Sequence, residues 1–342
     1  MIAVFEYVKR WRCKGGTVQG LKPSFCPSDS SGKCFRSWAL QPSFSLSGEW
    51  QWLSEGPSLL PPRPDAVNFY SLTRRLSARL HPAARASWAQ KALPTGPSHR
   101  SHLKLLQWPG QPHSALSIPG EQPTQRYHFM LPSFFHLLQS LHREGRHFAV
   151  IFRTFGIDLP RVLRAMLCAL EGQHPHFPAL RDVLLPVDLN PGKIRCSKQK
   201  VTLTQGAERL STEAGDRETY TYFSSKEGLC GFRDHFDWWA RNQFSSQGGK
   251  PFWIDPHDAN VHHICIDDNI RLNDSDTIVQ PRIFSGPGDN RTQTIPTAEL
   301  YDVCLVQTDL LEAIADVNYF CRCVRRCEEN YELYLASAVG RT

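Results

Sequence analysis

Hydrophobic and polar positions along this chain change character near Arg126. Upstream, from residue 1 to about 65, no window of about eleven residues keeps a helical or alternating spacing, which reads as irregular chain. Between Val67 and Ala92 a basic amphipathic helix is expected, with Phe69, Leu72, Leu76 and Leu80 near one side, followed by a polar, Pro-containing connection to about Gln125. Downstream the spacing becomes regular. Ser133 is placed to cap a helix that carries Phe134, Leu137, Leu138 and Leu141 and ends at Gly145. The nearly continuous apolar run from His147 to Thr154 suits a strand buried on both faces. Asp158 and Pro160 then open a second helix, through Val162, Met166 and Leu170, that closes near Gly172. After a loop-like stretch with one alternating piece at Lys200–Thr204, Leu229, Phe232, Phe236, Trp239 and Ala240 read as one face of a third helix, broken by Gly248-Gly249. A buried strand from His262 to Asn269, another from Ile278 to Phe284, and a long helix from Asp309 to Leu335 complete the pattern. Helix, buried strand, helix is the rhythm of an α/β parallel sheet with crossovers.

Composition divides the 342 residues at the same place. Hydrophobic residues make up 41% and aromatic residues 11%, enough for a packed core. The first 125 residues hold 14 of the 25 prolines and carry a net charge of +9, whereas the rest carries −3, so the overall +6 belongs to the N-terminal third. Two regions are therefore expected: a basic, Pro/Ser-rich stretch over 1–125 and an α/β domain over 126–342. A basic segment of this kind is read as a solvated arm rather than a nucleic-acid site. No apolar run reaches the roughly 20 residues that cross a bilayer. The 11 cysteines are scattered without a paired framework, so reduced thiols and a cytoplasmic location are expected.

The sharpest chemical feature is Asp267-Asp268, at the point where an apolar strand should stop. Ligands of open parallel sheets bind at the carboxyl ends of strands, and two adjacent carboxylates there call for a cation or donors to offset their charge. Mg²⁺ suits one or two carboxylates with several waters and a phosphate; an Asp-Asp-Asn turn is the plainer alternative. Thr154 ends the other buried strand, where its hydroxyl can donate to a phosphate oxygen, and Gly156 allows close backbone approach. Lys250 follows a glycine pair and offers an ammonium to phosphate. A second cluster, Asp255, His257, Asp258, His262, His263 and Cys265, invites a zinc reading. Adjacent strand residues face opposite sides, however, so His262 and His263 do not readily chelate one ion, and turn hydrogen bonding is the better account.

Taken in order, Thr154, Lys250 and Asp267-Asp268 resemble motifs II, III and IV of the haloacid dehalogenase-like superfamily, over roughly residues 127–284. The resemblance implies a Rossmann-like sheet, Mg²⁺ at Asp267 and Asp268, and phosphate at Thr154, Gly156 and Lys250. The implied ligand is a phosphorylated small molecule or protein. It also implies a motif I aspartate after a first, central strand. Upstream of residue 127 stand only Asp29, in a Ser-rich loop, and Asp65, after Pro-Arg-Pro; neither ends a hydrophobic strand. The family's phosphatases use that Asp to form an aspartyl-phosphate. The sheet is thus expected to be incomplete at its N-terminal side and the domain to bind without a covalent step. An active Mg²⁺-dependent phosphohydrolase with another nucleophile, and a non-enzymatic scaffold with a protein partner, stand as alternatives.

Overall fold

A computed structural model of the chain describes residues 5–10, 39–41, 51–52, 67–68, 102–120 and 122–339. Two units are present, one made of Met1–Arg12 with Pro97–Thr342 and the other of Cys13–Gly96. The first unit opens with β1 (Phe5–Arg10). In the second unit the described backbone consists of β2 (Ala39–Gln41), β3 (Gln51–Trp52) and β4 (Val67–Asn68), joined antiparallel in the order β3-β2-β4. Apart from those strand residues Val67 and Asn68, the helix expected over 67–92 lies outside the described residues, as do Asp29 and Asp65.

The first unit resumes with the paired strands β5 (Ser117–Pro119) and β6 (Arg126–His128), so the connection expected to be irregular up to Gln125 holds a β-ladder. Next come α1 (Pro132–Arg143), β7 (His147–Thr154) and α2 (Leu159–Leu170), close to the expected bounds. Pro132 sits in the first turn of α1, where its missing N–H costs nothing. Ser133 does not cap the helix: its hydroxyl donates to Ala313 O at 2.5 Å. Gly145, at φ 65°, turns the chain out of α1 in the left-handed conformation that glycine adopts without strain. Leu137 and Leu138 are fully buried and each contributes about 1.5–3 kcal/mol by leaving water.

Between α2 and the next expected helix, β8 (Gly192–Cys196), β9 (Val201–Gln205), β10 (Glu208–Ser211) and α3 (Arg217–Ser224) occupy what reads as loop in the sequence. The expected helix through Leu229 is then replaced by β11 (Gly228–Arg233) and the short α4 (Phe236–Arg241). Five of the six residues of β11 are buried, so its apolar positions do not alternate and run on into α4 as a false helical period. Gly231 fits there because a Cβ would lie 2.5 Å from Leu159 Cδ1, at the start of α2.

The remainder is β12 (Lys250–Ile254), β13 (Val261–Asp267), β14 (Val279–Phe284), β15 (Thr292–Thr294), β16 (Leu305–Gln307), α5 (Leu310–Ala315) and α6 (Tyr319–Val339). The single helix expected over 309–335 is therefore two, with Asp316-Val317-Asn318 between them.

Eight strands form the main sheet in the order β10-β9-β8-β11-β7-β1-β13-β16. It is mixed rather than parallel: β8, β11, β7, β13 and β16 share one direction, while β1 pairs antiparallel with both β7 and β13. The central place expected to be missing is thus filled, by a strand of the opposite sense. Six residues are too few to stand out in the window that reads residues 1–65 as irregular. A second sheet, β12-β14-β15, contributes Trp253 and Phe284 to a core with Ala149 and Ile151 of β7 and Phe223 of α3. The other face of β7, through Phe148, Val150 and Phe152, packs on α1, α2 and α6. Alternate residues of one strand thereby serve two cores.

Candidate functional site

Because β7 and β13 run the same way, their carboxyl ends meet one edge of the sheet. Phe5 of β1 is level with Phe152 on one side and Ile266 on the other. Arg153 is therefore level with Asp267, and Thr154 with Asp268, about 10 Å apart across two strand spacings.

Lys250 closes that distance. It is the first residue of β12 and is 3% exposed, so the ammonium expected to face a phosphate is turned into the protein. Gly249 brings the strand in closely, since a Cβ there would stand 2.7 Å from Ile278 O. The Lys250 ammonium donates to Asp267 Oδ2 at 2.8 Å and to Arg153 O at 3.1 Å, tying the end of β13 to the end of β7. Its nitrogen also lies 5.2 Å from the centre of the Phe155 ring. Asp267 has no exposed surface, and its Oδ1 accepts the backbone N–H of Asn269 at 2.8 Å.

Asp268 is the exposed member of the pair, and its Oδ1 accepts from Asn269 Nδ2 at 2.9 Å. Its pKa is raised to about 6, first by desolvation of a carboxyl crowded by the surrounding chain and then by the negative charge of Asp267. On the β7 side, Thr154 Oγ1 accepts the N–H of Gly156 at 2.9 Å, which leaves the hydroxyl hydrogen to donate elsewhere. Thr154 is half-buried and Gly156 exposed.

Beneath these groups lies an ion pair that the sequence pattern does not single out. Arg153 grips Asp234 through two bonds, Nε to Oδ2 at 2.9 Å and Nη2 to Oδ1 at 2.7 Å, and also donates to Pro251 O at 3.2 Å. Both residues are buried. Asp234 N donates to Thr154 O at 2.7 Å, so the pair fixes the turn that presents Thr154. An arginine inside the apolar run 147–154 is the signal that could have found it, because a buried guanidinium calls for a carboxylate partner.

For a cation the donor set is one-sided. Asp267 already answers to Lys250 and Asn269, which leaves Asp268 facing solvent. That fits a singly anchored, largely hydrated Mg²⁺ and not an enclosed one. Among the described residues, no group of three or more His, Cys, Asp or Glu is arranged to hold a metal ion.

The residues of the zinc alternative are occupied locally. His262 Nε2 meets Val303 O at 2.9 Å and its ring stacks on Tyr331, whereas His263 Nε2 meets Ser224 Oγ at 3.0 Å on the other face. Asp255 pairs with Arg217, and Asp258 accepts from the Tyr220 hydroxyl. No helix among the described residues is long and apolar enough to cross a membrane. No family model, curated protein or solved structure matches the chain.

Proposed function

We propose that the sheet edge formed by Thr154, Gly156, Lys250, Asp267 and Asp268 is a haloacid dehalogenase-like site that binds phosphate and Mg²⁺ without forming a covalent intermediate. The observation that carries this reading is the Lys250 ammonium bridging Asp267 Oδ2 and Arg153 O. It draws three separately weak motifs, 17 residues apart in one case and on non-adjacent strands in the other, to one place. The order of β11, β7, β1, β13 and β16, with the Thr154 and Asp267 strands flanking a central one, supports a Rossmann-like arrangement.

Lys250 acts here mainly as the counter-charge that lets Asp267 sit buried. The Thr154 hydroxyl donates to a phosphate oxygen, the exposed Gly156 leaves room for that approach, and Asp268 anchors the hydrated cation. When bound, Mg²⁺ would supply positive charge toward the phosphate. Among the described residues before Thr154 no aspartate stands in the motif I position to accept the phosphoryl group, so the site is read as holding its ligand without transfer.

The test is the melting temperature of the full chain against Mg²⁺, with and without inorganic phosphate, beside Asp268→Asn. Saturation at about 100 times Kd should stabilise by about 2.7 kcal/mol, a shift of a few degrees, in the wild type alone. A cooperative melt indifferent to Mg²⁺ would remove the cation from this reading. Mg²⁺-dependent phosphatase activity lost in Asp268→Asn would remove the claim that no transfer occurs.

A further inference from the structure

Four imidazoles and an indole gather where the segment 102–128 lies against α1 and the loop after α2. His128 of β6 and His174 stack face to face, with ring centroids 5.2 Å apart and planes at 9°. Each residue is 1% exposed. Trp108 meets both edge-on, at 5.0 Å and 5.2 Å, and Phe135 of α1 meets His174 at 4.8 Å. His174 Nδ1 accepts the backbone N–H of His176 at 3.2 Å. The proton of the neutral ring therefore sits on Nε2, and that buried atom has no hydrogen-bond partner. Nor has His128 Nδ1. A core that sought only packing would place phenyl rings here, because unpartnered buried nitrogens cost free energy and return nothing.

The imidazoles facing the stack make a charge on it harder to hold. His113, from the loop before β5, and the exposed His176 are both bases. The side of α1 presents Phe135. The end of α2 contributes Glu171 through Gln173, which donates to the Glu171 carboxylate at 2.8 Å and meets His113 Nε2 at 3.1 Å.

We propose that the His128–His174 stack is an acid-released latch holding the segment 102–128 against α1 and the 173–177 loop. Protonation of His174 places a hydrogen on Nδ1, where the His176 N–H already points, so that bond breaks and His128 is left beside a cation. The closed state opposes this. Burial first, and the neighbouring imidazoles second, hold His128 down to about 4 and His174 down to about 3, against 6.5 for the ordinary side chain. Both folded values are depressed, so the latch is fully closed above about 6.5 and weakens as pH falls toward 4. Between pH 7.5 and 5.0 each imidazole raises the open-to-closed ratio about 30-fold, and the two together on the order of 1000-fold.

The readout is amide hydrogen exchange of the full chain at pH 7.5 and 5.0, corrected for intrinsic rates. The reporters are the Trp108 N–H bonded to Arg126 O and the His128 N–H bonded to Leu106 O, each at 2.8 Å. Their protection should fall on the order of 1000-fold while amides of the central β7 keep theirs. His128→Phe/His174→Phe should abolish the fall, and His174→Phe alone, as the milder replacement, should leave about 30-fold. A fall below 10-fold in the wild type would overturn the latch. So would an equal fall in the Phe variants, or a loss shared uniformly with β7.

Discussion

Replacing Lys250 by Met tests the central electrostatic claim most directly. The ammonium is the counter-charge of Asp267 Oδ2, and the two side chains are 4% and 0% exposed. Methionine keeps most of the length and apolar stem but strands a carboxylate in the interior. Removing one partner of a buried pair costs about 3–5 kcal/mol. Arg153 O loses a donor as well, so the upper half of that range is expected. For a unit of this size each kcal/mol corresponds to about 2–4 °C, which gives a fall of roughly 8–20 °C in Tm. The assay is thermal unfolding followed by differential scanning calorimetry, repeated for Lys250→Met/Asp267→Leu. That double replacement removes both charges, and exchanging a buried pair for apolar groups is often close to neutral. It should recover most of the loss. A single-variant cost under about 1 kcal/mol, or a double variant as unstable as the single, would refute the buried counter-charge and with it the bridge between β7 and β13.

Two further outcomes follow from local geometry. Gly228 has φ 68° and a Cβ there would lie 2.1 Å from Pro186 O, whereas Gly145 has φ 65° with nothing within 4 Å. Gly228→Ala should therefore cost about 2–5 kcal/mol, from left-handed strain plus overpacking, and Gly145→Ala only about 1–2 kcal/mol, both read by urea denaturation. Arg146, just beyond α1, grips Glu328 of α6 through bonds of 2.7 Å and 2.6 Å and keeps Glu144 at 2.9 Å. Glu328→Gln should lower stability by about 1–2 kcal/mol in the same measurement, because a second acid remains to the guanidinium.

Local sequence was enough wherever one segment decides its own state. The i, i+3, i+4, i+7 spacing ending at Gly145 marks α1, although Ser133 does not cap it, the apolar run fixes β7, and Asp267-Asp268 marks the end of β13. Segments whose state depends on neighbours were misread. Buried on both faces, β11 lacks alternation and mimics a helix. β1, at six residues, is a strand because β7 and β13 lie either side of it, and its opposite direction follows from that pairing and not from its own residues. The candidate site divides the same way. Its residue types could be picked out along the chain, since carboxylates and a hydroxyl at strand ends are visible one at a time. That Lys250 is buried against Asp267, that Arg153 and Asp234 brace the turn beneath Thr154, and that His128 and His174 stack are distance relations between segments 17, 81 and 46 positions apart. Hydrophobic periodicity records which side of an element faces inward; only packing decides which charged or titratable group it finds there.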